Sequence, residues 1–104
     1  MKNINHAAQF SPLAEYYVEM MNWPMRKEIE IPSVINVLGD INGLSVLDFG
    51  CGPGWYARKL KSLGAARVTG YDAADGMLNY ARAVELQDKC GIEYISDISE
   101  NKAQ

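Results

Sequence analysis

Hydrophobic positions change their period once along this chain. Near the start they recur as Leu13, Tyr16, Tyr17, Met20 and Met21, the i, i+3, i+4, i+7, i+8 spacing of one helical face. Ser11 is a suitable N-cap ahead of Pro12, and Pro24 stops the helix, so the stripe, with Tyr16 and Tyr17, is expected in the core. A second helix, beginning at Met25 or only at Pro32, turns Val34, Ile35 and Leu38 inward and closes at Gly39, a natural left-handed stop. Asp40 to Gly43 then reverses the chain.

From Leu44 short apolar runs take over. Leu44 to Phe49 reads as a strand, followed by a glycine-rich turn and a helix from Trp55 to Leu63 stopped by Gly64. The sequence of elements then repeats: Arg67 to Tyr71 as a strand, Asp72 to Gly76 as a turn, and Met77 to Lys89 as a helix with Met77, Leu78, Ala81 and Val84 inward. Asp75 is expected to N-cap that helix. Ile92 to Ile95 makes a third strand. Strands alternating with helices imply right-handed βαβ crossovers and a three-stranded parallel sheet with flanking helices, an α/β, Rossmann-like fold class. Residues 1–42 form an N-terminal helical cap in this scheme, and residues 43–104 a βαβαβ half-domain.

Composition narrows the function classes. The 104 residues carry 10 Lys and Arg against 13 Asp and Glu, a formal charge of −3, which does not suit a strongly basic nucleic-acid binder. At 48% hydrophobic and 22% charged the chain is an ordinary globular domain, or part of one. Two cysteines, Cys51 and Cys90, and one histidine, His6 in the tail, fit neither a disulfide framework nor a metal site, so no metal is expected. Neither a signal peptide nor a run of about 20 apolar residues long enough to span a bilayer occurs, and a cytoplasmic protein with reduced thiols is expected.

The chemistry concentrates in Val46-Leu47-Asp48-Phe49-Gly50-Cys51-Gly52-Pro53-Gly54, an acid followed by alternating glycines where a strand hands over to a helix. Glycines there allow positive φ and a close approach of ligand to backbone, while the first amides of the next helix are expected to point at an arriving anionic group. A ligand site at the carboxyl end of the strand follows. A dinucleotide pattern fits Gly52 to Ala57 with Asp72 twenty residues after Gly52, but Pro53 lacks the amide a pyrophosphate would use, and Trp55 and Tyr56 crowd it. An NAD(P)-binding oxidoreductase fragment is therefore the weaker reading. Cys51 reads as a packed, inert thiol rather than a nucleophile, since no histidine base is near it in sequence.

Three segments in register resemble the class I, Rossmann-like S-adenosylmethionine-dependent methyltransferase family. Val46 to Gly54 is similar to its first motif, Gly70 to Leu78 to the end of its second strand, and Ile92 to Ile98 to its third, where an acid follows the strand. The resemblance implies S-adenosyl-L-methionine as cofactor, with S-adenosyl-L-homocysteine as product. It implies that Asp48, Gly50 and Gly52 surround the methionine end, with Cys51 and Gly54 also among the cofactor-binding residues, and that Asp72 accepts from the ribose hydroxyls. Asp97 would accept from the adenine amino group between apolar walls from Ala73, Met77 and Ile98. Tyr17, on a helix folded over the cofactor, would reach the methionine carboxylate. No catalytic base is identified.

The family's sheet has seven strands, its first pairing with a fourth, so this chain is expected to be incomplete relative to it, with the Leu44 to Phe49 edge unpaired. Two expectations of different kinds follow. One is the cofactor-binding part of a methyltransferase acting on an O, N or C nucleophile, with a small-molecule acceptor favoured over nucleic acid by the acidic charge. The other is a non-catalytic binding or assembly module, a homo-oligomer or strand-exchanged dimer through the open edge.

Overall fold

The computed structural model describes residues 12–100. In chain order these form α1 (Pro12–Met20), a π-helical turn (Arg26–Glu30), α2 (Ile31–Leu38), β1 (Ser45–Phe49), α3 (Trp55–Ser62), β2 (Arg67–Tyr71), α4 (Asp75–Asp88), β3 (Ile92–Ile95) and a 3-10 turn (Ile98–Glu100). Every strand and both crossover helices lie within a residue or two of where the periodicity put them. The sheet is parallel throughout, in the order β1-β2-β3. Phe49 pairs in register with Tyr71, and Tyr71 with Ile95, so all three carboxyl ends meet at one edge.

One face of the sheet holds the core. Val68 of β2 and Leu78 of α4 are fully buried, with Ala57 and Leu60 of α3, Ala81 of α4, and Ile92 and Tyr94 of β3 packed around them. Burying such aliphatic side chains stabilises by about 1.5–3 kcal/mol each. Gly70 makes this packing possible: a Cβ there would lie 2.8 Å from Tyr94 Cδ1 and 2.9 Å from Cys51 Sγ. The other face, and the outer edge of β1, are less covered. Leu47 and Phe49 are exposed, Phe49 by 71%, with its ring stacked on Tyr71 at 4.8 Å. The unpaired β1 edge is thus seen among the described residues.

The helical segment departs from expectation in four ways. Tyr16 and Tyr17 are not core: α1 buries Ala14 and packs on α4, while Leu13, Tyr16 and Tyr17 stay exposed on its other side, Tyr16 meeting the Trp23 ring edge-on at 5.9 Å. Pro24 does not end α1, which stops at Met20; it opens the next helical stretch, as its fixed φ allows at a first turn. That stretch begins near Met25, as one alternative had it, but as a π turn closed by an i→i+5 bond from the Ile31 amide to the Arg26 carbonyl. In α2 it is Ile31 that is buried, with Val34 and Ile35 half-covered and Leu38 exposed. Gly39 ends α2 at φ 71°, as expected. Ser11 and His6 lie outside the described residues.

Candidate functional site

The glycine bend between β1 and α3 is held by its own amides. Gly50 N and Cys51 N both donate to the Tyr71 carbonyl, at 2.7 and 2.8 Å, and Gly54 N donates to the Cys51 carbonyl at 3.0 Å. Gly52 N donates to Asp72 Oδ2 at 2.8 Å, and the other oxygen of that carboxylate, Oδ1, accepts from Ala74 N at 2.8 Å. Asp72 therefore faces the bend and ties it to the turn after β2. Asp75 is not the N-cap of α4: Ala74 holds that position without a side-chain bond, Asp72 satisfies its amide, and Asp75 is the first helical residue. Gly50, Gly52 and Gly54 all have positive φ, which the bend requires.

This wiring engages the amides of the bend itself, whereas the expectation concerned the first amides of the helix that follows. With Gly50, Cys51, Gly52 and Gly54 donating inside the protein and Pro53 lacking an amide, the bend offers an anion none of its own N–H groups. It presents oxygen instead. Asp48, half-buried next to the bend, has Oδ2 shielded from solvent and without a hydrogen-bond partner, and burial followed by the Asp72 charge holds its carboxyl above the ordinary range. An unpaired buried carboxylate oxygen is costly unless a donor or a cation completes it. The Cys51 thiol is pushed up to about 12 by burial and then by Asp48 and Asp72, so it stays protonated and is no nucleophile at neutral pH.

Above the bend lies a cavity of about 510 Å³. Gly50, Cys51, Gly52 and Asp72 form its floor and Met77 with Ala74 one wall; Tyr17, Met20 and Met21 of the first helical segment and Trp55 and Tyr56 of α3 close over it. Tyr17 sits directly over the glycines, its Cδ2 4.0 Å from where a Gly52 Cβ would be. Of the residues expected from sequence, Tyr17, Gly50, Cys51, Gly52, Asp72 and Met77 thus share one cavity. Asp48, Ala73, Asp97 and Ile98 do not line it: Asp48 lies half-buried beside the bend, the other three are exposed, and Asp97 Oδ1 accepts from the Ser99 amide at 3.0 Å, which lowers its pKa. Gly54 lines the core side instead, where a Cβ would lie 2.5 Å from Tyr94 Oη and 2.8 Å from Arg58 Nη1. Arg26, which reaches the cavity from the π turn, was not foreseen. Its only sequence signal is the glutamate four residues on.

Comparison with known proteins decides the family. The model of the methyltransferase domain matches residues 46–101, more than half of the chain. The chain belongs to the methyltransferase domain family. Its match includes all three strands and the bend. An S-adenosylmethionine-dependent methyltransferase from Mesorhizobium loti is 36% identical, superposing with a TM-score of 0.59 over 68% of this chain and 32% of that chain. The magnesium protoporphyrin IX methyltransferase of Synechocystis PCC 6803, 23% identical, shares the fold, with a TM-score of 0.61 over 93% of this chain and 54% of that one. An uncharacterised protein of Haemophilus influenzae is 40% identical over 63 residues, 61% of this chain and 24% of that relative. The domain thus spans about a quarter of its curated relative and a third to a half of these solved structures. Its architecture is the Rossmann-like α/β fold of the class I methyltransferases, of which three strands are present. Among the described residues no cluster of three His, Cys, Asp or Glu side chains could hold a metal, and no helix is long and apolar enough to cross a membrane.

Proposed function

We propose that this chain is the cofactor-binding part of an S-adenosylmethionine-dependent methyltransferase. The observation that carries the reading is the polarity of the bend: its donors are spent, while Asp48 Oδ2 lies buried and unpartnered beside it. Such a floor receives a cation, and the cofactor has two positive groups, an ammonium and a sulfonium. A dinucleotide would bring a pyrophosphate to a bend whose own amides are already bonded and that has two carboxylates beside it, which disfavours the oxidoreductase reading. The Mesorhizobium loti relative is S-adenosylmethionine-dependent, and the Synechocystis enzyme was crystallised with bound SAM. The cavity volume lies within the range of about 300–1,000 Å³ usual for small-molecule sites.

The roles follow from the chemistry of each side chain. Asp48 takes the methionyl ammonium and so gains the partner its buried oxygen lacks. Each Asp72 oxygen already accepts one amide and keeps a lone pair for a ribose hydroxyl. Met77 and Ala74 pack the nucleoside; Tyr17, Met20, Trp55 and Tyr56 keep water from the reacting end. When bound, the cofactor would supply a sulfonium methyl group whose carbon an O, N or C nucleophile takes in line, the C–S bond breaking with its electron pair left on sulfur in S-adenosylhomocysteine. The protein contributes positioning and exclusion of water. A small-molecule acceptor is supported by the charge of −3, and a cytoplasmic setting by two free thiols. Asp97, Ile98 and Ala73 would join the adenine pocket only by moving from their exposed positions.

Calorimetry tests the reading directly. The chain is expected to bind S-adenosylhomocysteine in preference to NADH, and Asp72→Ala to weaken that binding by about tenfold or more, the loss of a charge-assisted hydrogen-bond pair. Tighter binding of NADH would reject the methyltransferase reading. Binding of neither ligand by a folded chain would favour the assembly module.

A further inference from the structure

Beside the cofactor cavity lies a second space, of about 610 Å³. It opens between α2 and α3: Ile31 and Ile35 come from α2, Trp55 and Lys59 from α3, Met21 from the turn after α1, and Lys27 from the π turn. Both helical pairs are four residues apart, so each helix gives one face to the space. Met21 and Trp55 line the cofactor cavity as well, and the two spaces share that wall.

Its chemistry differs from that of its neighbour. The cofactor cavity has Asp72 in its floor, whereas none of the described residues lining the second space is acidic. Lys27 and Lys59 charge it positively, in a chain whose net charge is −3. Neither ammonium has a hydrogen bond or an ion pair among the described residues. Glu30, the acid of the π turn that faces α3, is already engaged by Arg26 Nη1 at 3.3 Å and by Tyr56 Oη at 3.0 Å. Lys59 is half-buried, as a lysine is when its stem lies along apolar surface and its head stays in water.

Apolar walls with two unpaired cations suit an apolar molecule that ends in an anion. Lysine ammonium groups are mobile point charges, so a carboxylate and a phosphate serve them equally. A methyl acceptor has to lie against the cofactor, and this space abuts the cofactor's cavity at Met21 and Trp55. We propose that it takes the methyl acceptor, a small apolar molecule whose carboxylate or phosphate is held by Lys27 and Lys59 and whose nucleophilic atom lies at the shared wall. The assignment rests on the methyltransferase reading and deepens it by naming the chemical class of the acceptor. The anion is a handle and is not consumed. The nucleophile takes the methyl carbon, the C–S electron pair stays on sulfur, and a proton carried by the nucleophile leaves to water.

Two naphthalenes that differ in charge test it. In NMR titrations of the full chain, naphthoate is expected to shift the Trp55 indole signal and to bind about fivefold or more tighter than uncharged naphthamide. Replacing both lysines, Lys27→Gln with Lys59→Gln, should lower naphthoate to the affinity of the amide, while Lys27→Arg with Lys59→Arg should keep the preference. Naphthyl phosphate in the same titration ranks the two anions, the tighter one being the handle of the acceptor. S-adenosylhomocysteine should bind the paired Gln variant within about twofold of the parent, which also reports that the variant is folded. Saturation with it should leave naphthoate bound, because acceptor and cofactor have to be held together. Equal affinity for naphthoate and naphthamide, or a paired Gln variant that still prefers naphthoate, would overturn the anionic handle. Displacement of naphthoate by S-adenosylhomocysteine would overturn the acceptor role. If the unmutated chain took naphthoate but not S-adenosylhomocysteine, the methyltransferase reading would fail and the acceptor role with it, leaving only an anion site.

Discussion

In the floor of the cavity the amides of Gly50, Cys51, Gly52 and Gly54 all have partners, and the core below it has no room for a Cβ at Gly70; in the roof, Leu13 remains 47% exposed and Tyr17 41%. The difference is one of preorganisation. The floor belongs to a sheet whose register is set by two parallel ladders, so its atoms are placed before any ligand arrives. The roof is a helix resting on Ala14 and a π turn steadied by Glu30, with apolar surface that a bound molecule would help cover. A rigid base for the shared part of the reaction and a looser cover for the variable part is a workable division of labour.

Three changes would break or sharpen this contrast. The largest effect is expected at Gly70→Ala, because its Cβ would meet the Tyr94 ring and the Cys51 sulfur at under 3.0 Å, and neither can step aside without disturbing β2 or the bend. A loss of about 1–3 kcal/mol in urea unfolding is expected; an unchanged midpoint would show that the floor is softer than described. A smaller, pH-dependent effect is expected for Asp48→Asn. Its carboxyl sits above the ordinary value of 3.8 in the folded protein, so between those two values the native state binds more protons than the unfolded one. The stability that Asp48 contributes is complete below the ordinary value and is lost as pH rises through the folded one. The Asn variant should therefore flatten the decline of stability across that window, and an identical pH profile would refute the unpartnered carboxylate. The smallest effect is expected at Leu13→Ser in the roof, within about 0.5 kcal/mol of the parent by thermal unfolding. A larger loss there would erase the distinction between roof and floor.

The same division explains what could be read in the sequence. The strands and the bend were legible because their signals are local: β-rich runs, glycines where φ must be positive, helices stopped by Gly39 and Gly64. The roof was not, because periodicity says which side chains prefer cover without saying whether anything lies over them. Leu13, Tyr16 and Tyr17 have the right spacing and are nonetheless 41–47% exposed. The role of Asp75 was misjudged for a related reason: the helix starts one residue earlier, with the Ala74 carbonyl taking the Met77 and Leu78 amides and Asp72 holding the Ala74 amide. Arg26 escaped notice because its place in the cavity depends on a π turn, and nothing in its immediate neighbours announces one.

Asp72 has a mechanical consequence besides its chemical one. Its carboxylate grips Gly52 with one oxygen and Ala74 with the other, stitching two loops from different crossovers into a single clasp. Swinging that side chain away releases both ends at once, so a disturbance at the beginning of α4 is communicated to the turn ahead of α3 without any rearrangement of the sheet between them.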